Sequence, residues 1–287
     1  MDFIQDIQTY DFLKKALFTA VVVGIISGVL GSFIILRGMS LMGDAISHAV
    51  LPGVAISYML GISYFYGAVV FGLLTAFGIG YITQNSRIKN DTSIGIVFSA
   101  FFAVGIILIG KANTSTDLTA ILFGNVLAVR SSDMWITVGI GVFVLLIIVL
   151  FFKEFLVSTF DPTLAASFGL SNKWIHYLLM VLLTLVTVAS LQTVGIILVV
   201  AMLITPAATA YLLTNRLSRM IMISSCLGAL SAVIGLYTSF VYNWPSGAAI
   251  VLVTTAFFVI ALLFSPKHGV VWRSLKVRKH RTTVVQK

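Results

Sequence analysis

Nine apolar runs divide the chain, at about 16–36, 41–60, 64–83, 94–110, 134–152, 175–191, 194–213, 220–241 and 247–265. Charged residues or Gly, Pro and Asn separate them, the punctuation expected between helices. Each run is close to the roughly 20 apolar residues that cross a bilayer as a helix. The least distinct boundary lies within 175–213, where Gln192-Thr193 is the expected break. One uninterrupted helix there would be longer than the bilayer is thick. The pattern predicts an all-α, polytopic membrane helix bundle of about nine transmembrane helices, with eight possible if two runs merge.

Two further segments are neither spans nor short turns. Residues 111–133 are expected outside the cell, as a short helix over the outer mouth of the bundle. Residues 153–173 carry complete helix punctuation: Asp161 suits an N-cap, Pro162 the first helical position and Gly169 a left-handed terminator. A helix of about seven residues is unstable alone in water and must dock. Either it lies on its own bundle or it offers a surface to a cytoplasmic partner.

Composition agrees with the pattern. Of 287 residues, 59% are hydrophobic and 9% charged, against about 25% charged in a soluble domain. That excludes a soluble enzyme, a disordered chain and a nucleic-acid-binding module. The net charge of +9 therefore reads as membrane orientation. Alternating sides from the C-terminus puts Arg37, Arg87, Lys89, Lys153, Lys173, Arg216, Arg219 and seven tail residues on one side. Lys14, Lys15, Lys111 and Arg130 fall on the other, a division of 14 against 4 among the 18 basic residues. The C-terminus is expected in the cytoplasm and the N-terminus outside. The chain divides into a transmembrane domain, 1–266, and a basic cytoplasmic tail, 267–287, facing anionic lipid rather than nucleic acid. The N-terminus is too acidic for a signal peptide, so the first run is expected to be a permanent helix.

Small residues four apart, Gly24 and Gly28, then Gly72, Ala76 and Gly80, predict close helix packing. The lone Cys226 allows no intrachain disulfide. Met39 and Met42 read as core filler.

Of nine acidic residues only Asp44 falls within an apolar run, and of four histidines only His48 lies well inside one, His176 standing beside Lys173 at the edge of another. Asp44 and His48 stand four apart in GDAISHAVLPG and share one helix face. A mid-membrane Asp costs about 2.5–3.5 kcal/mol on insertion scales, so a partner or a wet path is expected. Carboxylate and imidazole suit a divalent transition metal and, without thiolate, argue against copper(I). Pro52 has no N–H for the His48 carbonyl, leaving that oxygen near the pair. The competing reading is that Asp44 and His48 cross-link two helices. Ser47, Pro52, Gln192 and Thr205 are further pathway candidates, as is Asn125, although helix-to-helix hydrogen bonding explains the polar ones equally well. Pro206 is expected to kink its helix. No catalytic residues are expected: GIILIGKA at 105–112 has Ala112 where a P-loop needs Ser or Thr, and no HExxH occurs.

RGMSLMGDAISHAVLPGVA at 37–55, ILFGNVLAV at 121–129 and VGIILVVAMLITPAATAYLL at 194–213 resemble the membrane subunits of metal-ion ABC importers. In detail they look closest to the manganese permeases of Gram-positive bacteria. The resemblance covers about residues 12–266. It implies a type II ABC importer-like permease, not itself an enzyme, working as a homodimer with two cytoplasmic ATP-binding subunits and an extracellular metal-binding lipoprotein. It also implies that 160–169 is the coupling helix, carried by Asp161, Pro162, Leu164, Ala165 and Gly169, and that Asp44 and His48 coordinate the ion in transit. That ion would be manganese, with zinc or iron(II) as alternatives and no permanently bound cofactor. A siderophore or cobalamin permease and a stand-alone channel or carrier are the rival classes.

Overall fold

The structure, a computed structural model, describes residues 9–111 and 126–265. Among the described residues, twelve α-helices run in order: α1 Asp11–Leu36, α2 Met42–Ala49, α3 Leu51–Met59, α4 Tyr64–Asn85, α5 Asn90–Lys111, α6 Ser131–Leu150, α7 Phe152–Phe160, α8 Pro162–Ser167, α9 Asn172–Val194, α10 Ile196–Leu213, α11 Leu217–Tyr242 and α12 Ser246–Phe264. One turn of 3-10 helix, Val126–Ala128, precedes α6. Eight of the helices, α1, α4, α5, α6 and α9 to α12, are long and apolar enough to cross a membrane.

Eight long spans and one broken element thus account for the nine apolar runs. The run at 41–60 is not one helix but α2 and α3, interrupted at Val50. Proline explains the break, since Pro52 in the first turn of α3 cannot extend the hydrogen bonding of α2. The boundary inside 175–213 lies at Gly195, two residues beyond the expected Thr193. Gly195 has φ +83 and ψ 165, a conformation that side chains rarely adopt, so the glycine sets the corner. Pro206 sits inside α10 without ending it.

Lipid offers no hydrophobic drive to bring helices together, so close backbone approach supplies dispersion contact instead. The most extensive packing joins α1 to α11. A Cβ on Gly24 would lie 2.7 Å from the Gly228 carbonyl, and one on Gly28 equally close to Ser224. Ser224 Oγ donates to the Gly28 carbonyl at 2.7 Å, sealing the seam. The second small row packs α4 on α9, with Gly72 against Thr184 and Gly80 against Tyr177. Core volume comes from Phe33, Phe155, Leu13, Leu30 and Met180, and Met39 and Met42 belong to it, both essentially inaccessible. Cys226 is a free, exposed thiol on α11. Asn125, most of the 111–133 segment, and the tail 267–287 lie outside the described residues.

Candidate metal site

The eight residues of α2 bury six of their number; Asp44 and His48 alone stay partly open. Met42 and Ile46 anchor the opposite face in the core. Asp44 lies in the first turn and His48 in the last. That order puts the carboxylate at the helix end where the dipole favours an anion.

His48 Nε2 stands 3.5 Å from Asp44 Oδ1, with the side chains 30% and 46% exposed. The separation exceeds the 2.7–3.2 Å typical of a good N–H···O bond. An ion bonded to both atoms at about 2.1 Å would see them roughly 110° apart, a workable angle for a transition metal. The other ring nitrogen, Nδ1, is buried without a hydrogen-bond partner. Both residues lie on α2, and no hydrogen bond among the described residues ties either side chain to another element. Among the described residues, the pair is therefore not a hydrogen-bonded cross-link between helices.

Two aromatics of α5 hold the imidazole. Phe98 and Phe102 lie edge-on to His48 with centroids 5.7 and 5.8 Å away, and stack on each other at 5.6 Å. They pack against the ring whose Nε2 faces Asp44. Sequence reasoning missed these two residues. Their four-residue spacing was visible, but among so many apolar residues nothing marked them as facing a histidine.

The other pathway candidates divide. Pro52 is buried one turn beyond His48 and has no N–H for its carbonyl, which accepts instead from a backbone amide at the C-cap of α2. Ser47 is buried and spends its hydroxyl on the Gly43 carbonyl at 2.8 Å, an i−4 bond that satisfies it within α2. Thr205 gives its carbonyl to the Thr209 hydroxyl at 2.7 Å. Neither Thr205 nor Gln192, which is half-buried near the end of α9, makes a hydrogen bond to Asp44 or His48 among the described residues. The structure brings together Asp44, His48 and Pro52. It does not join Gln192 or Thr205 to them. No cluster of three or more His, Cys, Asp or Glu side chains occurs among the described residues.

Elsewhere in the chain, α8 is a six-residue helix, one shorter than expected. Asp161 caps it: its carboxylate accepts from the amides of Thr163 at 3.1 Å and Leu164 at 2.9 Å. The hydroxyl of Thr163, then these amides, hold the Asp161 carboxyl below the ordinary carboxylate range. Pro162 takes the first helical position and Gly169, at φ +76, follows the helix. Ala165 is buried against the bundle, whereas Leu164 and Phe168 point out, 44% and 70% exposed. An apolar pair presented by a capped helix of one and a half turns is a shape for docking.

An all-helical bundle with eight apolar spans, and with one half-open acid–imidazole pair in a broken helix, is the build of a multi-pass membrane permease. The chain belongs to the ABC 3 transport family, whose pattern matches residues 9–265. It is 67% identical over 272 residues to the manganese transport system membrane protein MntC of Listeria monocytogenes, covering 95% of this chain and 97% of that protein. It is 58% identical over 266 residues to the manganese import system permease protein ScaB of Streptococcus parasanguinis, covering 93% and 95%. Among solved structures it resembles PsaBC from Streptococcus pneumoniae in complex with Fab, with a TM-score of 0.85 and 56% identity over 96% of this chain and 99% of that one. An inward-facing metal-chelate type ABC transporter, 17% identical at a TM-score of 0.72 over 91% and 89% of the two chains, shares the fold.

Proposed function

We propose that this chain is the membrane-spanning permease subunit of an ATP-driven importer of manganese, and that Asp44 and His48 hold the ion in transit. The observation that carries the site is the pair itself. Asp44, the one acidic residue within an apolar run, and the His48 imidazole face each other at 3.5 Å on the open face of α2. Names of relatives more than half identical support manganese over zinc or iron(II). The donor set alone accepts all three, and intrinsic affinity favours zinc, so selectivity rests on geometry or on upstream delivery.

Two side-chain donors do not fill a shell for manganese. A second copy of the chain supplies the rest in this reading. Support comes from α5, whose Gly95, Ser99 and Ala103 are exposed in a small-residue row on the helix that carries Phe98 and Phe102. Such a row suits close helix approach in lipid. Two copies meeting there bring two Asp and two His toward one axis. On the cytoplasmic side, Leu164 and Phe168 of α8 seat on a separate ATP-binding subunit, and an extracellular metal-binding lipoprotein delivers the ion. The C-terminus lies in the cytoplasm and the N-terminus outside.

The test is manganese uptake by the complex reconstituted with its ATP-binding subunit. Asp44→Asn keeps shape and loses charge; His48→Ala loses the nitrogen donor. Each should abolish uptake while the complex still assembles. Uptake near the parental rate in either variant removes the pair from the path.

A further inference from the structure

We propose that Arg37 is a positioning residue that ties the docking helix α8 to the metal-bearing helix α2 through a single directed chain of hydrogen bonds. The inference rests on the reading of α8 as the ATPase contact and of α2 as the metal-bearing element.

Arg37 caps the C-terminus of α1, five residues before α2 begins. Its Nη2 donates to Ser158 Oγ at 3.0 Å and its Nε to Thr159 Oγ1 at 3.0 Å. Both acceptors belong to α7. Ser158 Oγ in turn donates to Asn172 Oδ1 at 2.9 Å, and Asn172 Nδ2 donates to the carbonyl of Pro162 at 2.6 Å. Pro162 opens α8. Every bond points the same way, from the guanidinium toward α8, so each polarises the next.

The near end is equally fixed. The turn between α1 and α2 is closed by the amide of Met39 on the Ile34 carbonyl at 2.9 Å, and Met39 is buried in the core. A displacement of α8 therefore pulls on Asn172, Ser158 and Arg37 in order, and Arg37 lies seven residues from Asp44 with no slack loop between.

Packing alone does not account for an arginine here. Its charge is partly buried, and burial lowers the guanidinium from its ordinary value to about 10, so it remains charged at neutral pH. Among the described residues no carboxylate pairs with it. An uncompensated buried charge costs stability, and an apolar side chain would fill the same space. What the guanidinium adds is a planar fork that grips Ser158 and Thr159 at once, which a lysine cannot reproduce.

The experiment uses the reconstituted complex and reads manganese transported per ATP hydrolysed, together with assembly. Arg37→Gln should assemble and hydrolyse ATP, while the transport ratio falls by about tenfold, within the usual range of coupling between sites. Arg37→Lys should recover part of the ratio, because the charge returns without the fork. Asn172→Ala cuts the chain at its far end without touching the buried guanidinium, and should lower the ratio in the same direction. It decides the matter if Arg37→Gln fails to assemble. A merely structural role would lower assembly and hydrolysis together and leave the ratio alone. A parental ratio in assembled Arg37→Gln or Asn172→Ala overturns the relay. Asp44→Asn, run alongside, separates the two readings. Normal uptake by Asp44→Asn overturns the metal site itself; loss there with a parental ratio in Arg37→Gln overturns the relay alone.

Discussion

Gly105 of α5 presses its backbone against Pro52, so closely that a Cβ there would come within 3.1 Å of the proline Cδ and 2.8 Å of Leu51 Cβ. The break between α2 and α3 is thus clamped from outside as well as imposed by the ring. Denied an i+4 donor by Pro52, the His48 carbonyl accepts instead from a backbone amide at the C-cap of α2, beside the acid–imidazole pair.

Pro52→Ala should reverse that local chemistry. An alanine supplies the missing N–H and is favoured in a helix interior by about 3 kcal/mol over proline. We expect α2 and α3 to fuse, the His48 carbonyl to exchange its C-cap donor for the amide of residue 52, and the Asp44–His48 pair to turn with it. Uptake should fall several-fold while assembly and detergent stability hold or improve. Unchanged uptake in this variant would show that the break has no part in transport.

A second contact fixes how α3 meets α4. Cβ atoms at Gly53 or Gly67 would each overlap the other residue's carbonyl oxygen, and Ser57 Oγ crowds the same point. Gly53→Val should therefore overpack the crossing, at a cost of about 1–3 kcal/mol. The purified complex should lose thermal stability before the chemistry of Asp44 is touched. A melting temperature equal to that of the parent would mean that the two helices part without penalty.

Much of this was legible in one dimension. Apolar runs gave the spans, Asp161, Pro162 and Gly169 delimited α8, and the spacing of Asp44 and His48 put them on one face. All are local signals, set by residues within a turn or two. The partners that orient them are not local. Arg37 meets Ser158 and Thr159 at 121 and 122 residues' distance, and Phe98 reaches His48 across two intervening helices. Serines, threonines and phenylalanines are too common in a membrane chain for their pairing to show in sequence. The corner at Gly195 was misplaced by two residues for a related reason. Gln192-Thr193 is the polar break, but only the glycine has the backbone freedom to make the turn.

The Asp161 cap carries a definite pH signature. Its carboxyl is lowered in the folded chain, so the ionised form is the one that stabilises α8. That contribution is complete above the ordinary carboxylate value of about 3.9 and is lost only as pH falls through the lowered folded value. Between pH 8 and 5 the cap is constant. Asp161→Ala should weaken retention of the ATP-binding subunit by the same factor at pH 5.5 and pH 7.5. Asp161→Asn, itself a good N-cap, should have little effect. Co-purification at both pH values checks this, and an Asp161→Ala defect confined to one of them would contradict it.

The last prediction concerns orientation, which rests on charge. Lysine and arginine favour the cytoplasmic side, and 14 of the 18 fall on one face of the nine-crossing path. This path counts the broken α2–α3 element as one crossing, although neither half alone spans a bilayer. The loop before α4 and the loop after it then lie on opposite sides. Both offer an exposed serine, Ser63 as the N-cap of α4 and Ser86 as its C-cap. In a Cys226→Ala background, Ser63→Cys should react with a membrane-impermeant thiol reagent in intact cells, and Ser86→Cys only after permeabilisation. The exposed Cys226 makes that background necessary. The reverse pattern would turn the bundle over. It would move α8 to the outer face, where no ATP-binding subunit could meet it, and so bears on the proposed coupling as directly as on topology.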